Sequence, residues 1–468
     1  MSLLDIYTDV EKRLETDKPA IFRQLDEHIV WHEIIPDSFY AAFYKRYGRN
    51  RKYELESFMR ALLLQRLFHY VEDSQLLNTL RFSREMRDFC GFSKVPDASK
   101  LTRFKQTFGE NLHNIFEYLV DITEPICREM DEKLADMLVF DTTGIESYVA
   151  ENNPKIQTKY ARQANLIAKT DPNFKTAYAF GFAPAVAASN PAVKQQYING
   201  HVCYAQKAAV VANGLGIVRH LELLDEDFKK KHPEMQIEKR TKFPEIDKEI
   251  GDSTSLKPGL NDFRNAHPSL KYSVFAGDAA FDSYDNYVFL IKDCRFSKAI
   301  IPFKIQPSIS VDFNENGTPL CPNDKSPLTF HSFYSVKNRS PRMKFICPKT
   351  NWIRTERGIS RRCFCENPCT DSLYGKCVYV YPEKNLRLYP GISRDSDEFA
   401  KFYNRRTAVE RSINTLKDTL GISNRKTSNV LTTKSDLFLA GIVQLICVLL
   451  AHKLHNRKLA RSPRKLIA

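Results

Sequence analysis

EFAKFYNRRTAVERSINTLKDTL, residues 398–420, contains no glycine or proline and is rich in helix formers. Phe399, Phe402, Val409, Ile413, Leu416 and Leu420 recur at helical spacing, which gives the segment one apolar stripe. On a continuous helix Tyr403, Arg406, Glu410 and Lys417 fall within about 60° of arc, beside that stripe rather than opposite it. A carboxylate flanked by two cations and a tyrosine at the edge of a buried face can hold a metal ion and meet a phosphate. The same residues also suit an ordinary solvated helix face.

Working outward, 468 residues are too many for one simple core and predict two or three domains. A hydrophobic content of 43% and an aromatic content of 12% indicate a globular chain and exclude a disordered one. The net charge of +14 and a pI near 9.1 favour an anionic partner. The opening MSLLDIYTDVEKRLE carries acids and lacks an apolar core, so it does not read as a signal peptide. Leu437–Leu450 is the most apolar run, too short to span a bilayer, and is expected to be a buried helix with no membrane partner. Eleven cysteines without a secretory signal point to a reducing cytoplasm.

Residues 1–130 read as helical. LESFMRALLLQRLFHYV (55–71) has an apolar stripe, and Ser74 is a candidate N-cap for a helix running to Cys90. A turn at 91–97 leads to a helix over 98–109, with Asp97 or Ser99 as cap and Lys100, Arg103 and Lys105 in its first turns. This order suits a helix-turn-helix that offers Lys100 and Arg103 to DNA, and equally a plain helical packing module.

MLVFDTTGIES (137–147) predicts a buried strand that ends at Asp141 and opens into a turn. Residues 151–200 carry no readable function. HVCYAQKAAVVA (201–212), Asn213-Gly214 and LGIVRHLELL (215–224) predict a tight hairpin, with Lys207 on its first strand. Charged residues 225–265 should include a helix. YSVFAGDAAFDS (272–283) predicts a second apolar strand ending at Asp278, followed by a helix and a further strand over 298–305. Residues 306–397 hold six of the eleven cysteines and short strand-like runs at 343–348, 351–355 and 376–381. Cys363, Cys365, Cys369 and Cys377 are candidate structural zinc ligands, although their spacing is not a paired CxxC knuckle; unmetallated thiols are the other reading. The tail after Ala451 has six Lys or Arg and no acid, as suits a segment lying on phosphate or one without structure.

Tyr-x2-Arg-x3-Glu-x6-Lys, from Tyr403 to Lys417, resembles the signature around the catalytic glutamate of bacterial insertion-sequence transposases with a DDE triad. Tyr53, Leu62–Leu64, Ser74, CGF at 90–92 and PD at 96–97 resemble the helical N-terminal domain of the same class, which binds the element's terminal repeats. The resemblance implies an α/β, ribonuclease-H-like mixed sheet with a helical N-terminal domain and a small β-rich, cysteine-containing insertion. The implied domains are 1–130, 131–305 and 398–468 for the two parts of the catalytic core, and 306–397 for the insertion. It implies Asp141, Asp278 and Glu410 as catalytic ligands of Mg²⁺, with Mn²⁺ as substitute, Asp141 bridging two ions. Arg406, Lys417, Tyr403 and Lys207 would then meet DNA, Lys207 resembling a strand lysine of the family. The implied activity is cleavage at element ends and strand transfer into target DNA. The implied partners are double-stranded DNA and a second copy of the chain, at a nucleoid-associated, cytoplasmic location. A transposase-derived DNA-binding protein that no longer cuts, or a purely hydrolytic ribonuclease-H-like nuclease, would share much of the pattern.

Overall fold

The structure, a computed structural model, describes all residues except 1, 3, 6, 9–18, 46, 48, 49, 172–180, 182, 199, 200, 236–249, 305–312, 315, 337, 338, 357, 424, 467 and 468. Its N-terminal part is helical: α1 (Ala20–His28), α2 (Asp37–Phe43), α3 (Leu55–Leu67), α4 (Asp73–Phe82), α5 (Arg84–Cys90), α6 (Ala98–Thr107) and α7 (Gly109–Met130). The single helix expected after Ser74 is two. Glu72 caps α4 through a capping box with Gln75, and the Ser83 hydroxyl accepts from Met86 N–H to start α5, which Gly91 ends in the left-handed region. Ser83 bonds its own backbone neighbours in preference to continuing a helix, which is why the break falls there.

The core is a mixed sheet. Strands β1 (Met137–Glu146), β2 (Asn190–Ile198), β3 (His201–Asn213) and β4 (Val218–Leu223) are antiparallel neighbours, whereas β5 (Val274–Ala276) and β6 (Lys298–Ile300) run parallel to β1. The lateral order is β4-β3-β1-β5-β6, with β2 sharing an edge of β3 beyond β4. The β3–β4 connection is wider than the expected two-residue turn. Asn213 Oδ1 accepts from Leu215 and Ile217 N–H, and the left-handed residue is Gly216 (φ 81°), not Gly214.

Alternation along β1 assigns two faces. Met137 and Val139 face a core shared with the N-terminal helices, whereas Leu138 and Phe140 face one covered by α9 (Asp252–Ala266); helix α8 (Pro154–Thr170) precedes β2. The first face is closed by α12 (Val430–Lys453). That helix is long and apolar enough to cross a membrane, but 89% of its most apolar window is buried within the protein. α12 packs on α7, α6, α3 and β4, so the last long helix completes the core of the first domain. A Cβ at Gly441 would lie 2.7 Å from Leu221 Cδ1 and from Phe116 Cε2. Gly441→Val is expected to cost about 2 kcal/mol through overpacking, read as a lower urea midpoint at unchanged slope.

Between β6 and the glutamate segment lie β7 (Thr329–Val336), β8 (Arg339–Ile346) and β11 (Cys377–Val380) in one sheet, ordered β11-β8-β7, and a hairpin of β9 (Thr350–Thr355) and β10 (Gly358–Cys363). Composition does not predict β7 and β10, because their aromatic and arginine residues alternate without a long apolar run. Residues 398–420 do not form one helix. α10 (Asp397–Asn404) and α11 (Thr407–Asn414) meet at Arg405–Arg406, and a wide π turn follows over Thr415–Thr419. Around the junction Arg405, Arg406, Ala408 and Val409 N–H each bond the carbonyl three residues back, so the helix tightens and bends without glycine or proline.

Candidate active site

The parallel register aligns Val139 with Ala276, so two residues further on Asp141 and Asp278 stand side by side, Asp278 just past the end of β5. Asp141 is not at a strand end, since β1 continues to Glu146 against β3. It is β5 that stops, and the vacated edge gives Asp141 its exposure. Asp278 begins a short 3₁₀ turn, its carboxylate accepting from Ala280 N–H at 2.8 Å. By parity with Met137 and Val139, Asp141 points to the face on which α11 packs.

α11 brings Glu410 to that face, and Arg406 Nη2 lies 2.6 Å from its Oε1. Arg406 is close enough to both acids for Asp141 and Glu410 to stabilise its charge. Its guanidinium also lies 5.7 Å from the centre of the Tyr403 ring, which stacks on Phe399. Lys417 leaves the π turn toward β1 and donates to Gly144 O at 2.9 Å and Thr143 Oγ1 at 3.4 Å. The wide turn accounts for that reach, because a regular helix would place Lys417 along the Glu410 stripe.

Lys207 is held inside the protein. By alternation it faces α9, is buried, and donates to Ile250 O and Asp252 Oδ1, both at 2.7 Å. Asp252 also accepts from the Thr142 hydroxyl, so a fourth carboxylate stands just across the sheet from Asp141. Sequence reasoning missed Asp252; the available signal was the acid after Gly251 opening a helix. Asp282, a neighbour of Asp278, is structural, because Arg387 grips both of its oxygens at 3.0 and 2.7 Å.

Burial pushes the Asp141 carboxyl up to about 7, and Asp278 and Asp252 add to the rise against the Thr142 N–H and Arg406. An acid whose folded value exceeds the unfolded 3.8 loses stability as pH rises between the two, and the loss is complete above about 7. In EDTA, the urea midpoint of the wild type is therefore expected to fall from pH 5 to pH 8. Asp141→Asn should flatten that fall.

Among the described residues no three His, Cys, Asp or Glu side chains stand close enough to hold a metal ion as they are placed. Glu410 turns to Arg406 rather than toward the two aspartates. The four candidate zinc cysteines are likewise divided. Cys363 and Cys365 lie with Cys347, Cys369 lies with Cys321, and Cys377 pairs with Ile346 in β11. The strands around Cys347 and Cys321, not the Cys363–Cys377 spacing, decide which thiols meet.

In the N-terminal part, Lys100 and Arg103 are exposed on α6. Lys105 is instead fully buried, donating to Asp73 Oδ1 at 2.9 Å and lying 3.1 Å from Asp436. Asp436 also binds Arg66 and Arg425, and Arg66 donates to the carbonyls of Leu420 and Gly421, directly after the π turn.

Residues 9–107 match the family model of a transposase domain, DUF772. The match covers α1 to α6, about a fifth of the chain. It supports a transposase, and with it a DNA-cleaving or DNA-transferring enzyme in general, without specifying the chemistry. No curated protein matches. A cryo-EM structure of the piggyBac transposase synaptic complex with hairpin DNA aligns with 96% of this chain and 77% of that chain, at 12% identity. Its TM-score is 0.38. The transposase-domain match includes Lys100 and Arg103 but none of the acids near β1.

Proposed function

We propose that the protein is a DNA transposase of the DDE type with a ribonuclease-H-like core, cutting at the ends of an insertion sequence and joining them to target DNA. The observation that carries this reading is the side-by-side placement of Asp141 and Asp278 at the end of β5, with the Glu410 helix lying across the same face. The residues suit a hard divalent cation in their chemistry: Asp141 and Asp278 offer carboxylate oxygens near enough for Asp278 to disfavour the Asp141 charge, and Glu410 lies on the same face, held by Arg406. Asp141, Asp278 and Glu410 would hold Mg²⁺, or Mn²⁺ in its place. When bound, such ions activate water and stabilise the leaving oxygen of a phosphodiester.

The chain's own residues do the positioning. Arg406, between Glu410 and Asp141, is placed to take a phosphate of the scissile strand, and release of Glu410 from it would free that acid as a ligand. Tyr403 backs the Arg406 guanidinium. Lys417 ties the π turn to β1 and so fixes the approach of α11, a different task from holding a flanking phosphate. Exposed Lys100 and Arg103 and the net charge of +14 support duplex DNA as partner. A homodimer holding two ends, a cytoplasmic location at the nucleoid and a structural zinc among the thiols complete the proposal on the resemblance and the cysteine chemistry alone.

The test is a supercoiled donor plasmid carrying the gene's own flanking DNA, incubated with Mg²⁺ or Mn²⁺ and either wild type or Glu410→Gln. Excision and joining by wild type, lost in the variant, are expected. Cleavage without joining would favour the hydrolytic nuclease. Binding without cutting would favour the silent DNA-binding protein.

A further inference from the structure

We infer that the outer face of the β7–β8–β11 sheet binds unpaired bases of a nucleic-acid strand through Tyr334 and Tyr379, with Arg342 and Lys344 meeting its phosphates. The sheet has two unlike sides. Met343, Phe345 and Val380 point inward and are buried with Cys321 and Leu328 in a small core. By alternation their neighbours point outward, and the register lines them up across three strands: Tyr334 opposite Arg342, and Tyr379 opposite Lys344. The two tyrosines are 36% and 42% exposed, so their rings are open to a partner. Arg342 lies between them, its guanidinium 4.8 Å from the Tyr379 ring centre and 6.0 Å from that of Tyr334. That contact holds the rings by cation–π attraction in place of packing.

Charge selects the partner. Residues 329–355 contain six Lys or Arg and no Asp or Glu. The local field is felt at His331, whose imidazole is held below its usual value by burial and by Lys344 and Arg361. A basic face with ring surfaces spaced between cations fits a strand whose phosphates and bases alternate. Duplex DNA offers such a face only its backbone, since its bases are stacked on each other. The occupant is therefore an unstacked single strand, as arises where DNA is opened. The inference rests on the proposed function only for the identity of that strand as DNA.

The experiment measures binding of the full chain to a fluorescent oligothymidylate of about 12 nucleotides, and to a blunt duplex of equal length, by anisotropy in EDTA. The proteins are wild type, Tyr334→Ala/Tyr379→Ala, Tyr334→Phe/Tyr379→Phe and Arg342→Ala. The double alanine variant is expected to bind oligothymidylate about 10-fold or more weaker, with duplex affinity within about twofold of wild type. The phenylalanine variant should keep wild-type affinity, because the ring face and not the hydroxyl makes the contact. Arg342→Ala should weaken binding and reduce its salt dependence. Equal oligothymidylate affinity in wild type and the double alanine variant would overturn the inference. So would loss in the phenylalanine variant, or equal losses on single strand and duplex. Should the alanine variant fail to fold, the phenylalanine and Arg342 variants still decide. The assay needs neither metal nor cleavage, so its failure leaves the transposase reading intact, and an inactive plasmid assay leaves this inference intact.

Discussion

Asp141→Asn is expected to lower metal-dependent end cleavage by on the order of 10³-fold, with the protein still folded and still bound to DNA. Loss of a carboxylate ligand removes several kcal/mol of charge stabilisation from the transition state, and each 1.36 kcal/mol is about a factor of ten. Asparagine keeps the volume and keeps an oxygen for the Thr142 N–H, which Asp141 Oδ1 accepts at 2.8 Å. The substitution therefore separates chemistry from structure. Stability should move the other way, because the ionised carboxylate strains the metal-free site next to Asp278 and Asp252. Single-turnover cleavage and a urea titration on the same preparation check both halves. A variant that cuts at the wild-type rate would remove Asp141 from the site. Glu398→Gln is the control: Glu398 lies on the same segment but pairs with Lys298, and cleavage is expected to be unchanged.

Asp436→Ala is expected to cost about 3–5 kcal/mol of stability, because it strands buried cations without their partner. Asp436 is buried among Arg66, Lys105 and Arg425, at 3.1 Å from Lys105 and 2.9 Å from Arg425, and only Asp73 would remain to balance three cations. The cations already hold its carboxyl below the usual range despite burial. The cluster joins α3, α6 and α12 to the segment after the π turn, so the loss should also loosen the approach of α11. Denaturant unfolding gives the first effect. Cleavage by the surviving folded fraction, at a temperature well below the midpoint, gives the second. A midpoint within error of wild type would show that the cluster is not what ties these elements together.

Five strands of the sheet are legible in the amino-acid sequence itself, the hairpin of β3 and β4, β6 and the two that lead to the aspartates. Apolar runs ending in Asp141 and Asp278 locate the last two, because buried strands announce themselves by composition. The third dimension of the glutamate segment is not legible in the same way. Its residues are good helix formers throughout, so nothing local marks the bend at Arg405–Arg406 or the π turn that redirects Lys417; packing on β1 and β3 overrides propensity there. Lys207 and Lys105 illustrate the same limit from another side. Each reads as a solvent-facing cation, and each is buried beside an acid more than 30 residues away in sequence, Asp252 for one and Asp73 for the other. Asp252 itself opens a helix and ends no apolar run of the sequence, so the rule that finds the two aspartates passes over it. The neighbours of the cysteines are not legible either: strand pairing sets Thr350 opposite Cys363 and Ile346 opposite Cys377.

The placement of α12 against the first domain carries a consequence for the birth of the molecule. Ribosomes release a chain from its N-terminus, and most domains fold as they emerge. Here Arg66 and Lys105 must wait for Asp436, and the apolar sides of α3, α6 and α7 wait for Leu437–Leu450. The N-terminal helices are thus made first and finished last. Until Asp436 and Leu437–Leu450 have emerged the molecule is an unclosed clasp. Closure of these helices therefore waits on residues more than 300 positions away, with the added slowness that contacts between distant parts of a sequence impose on folding.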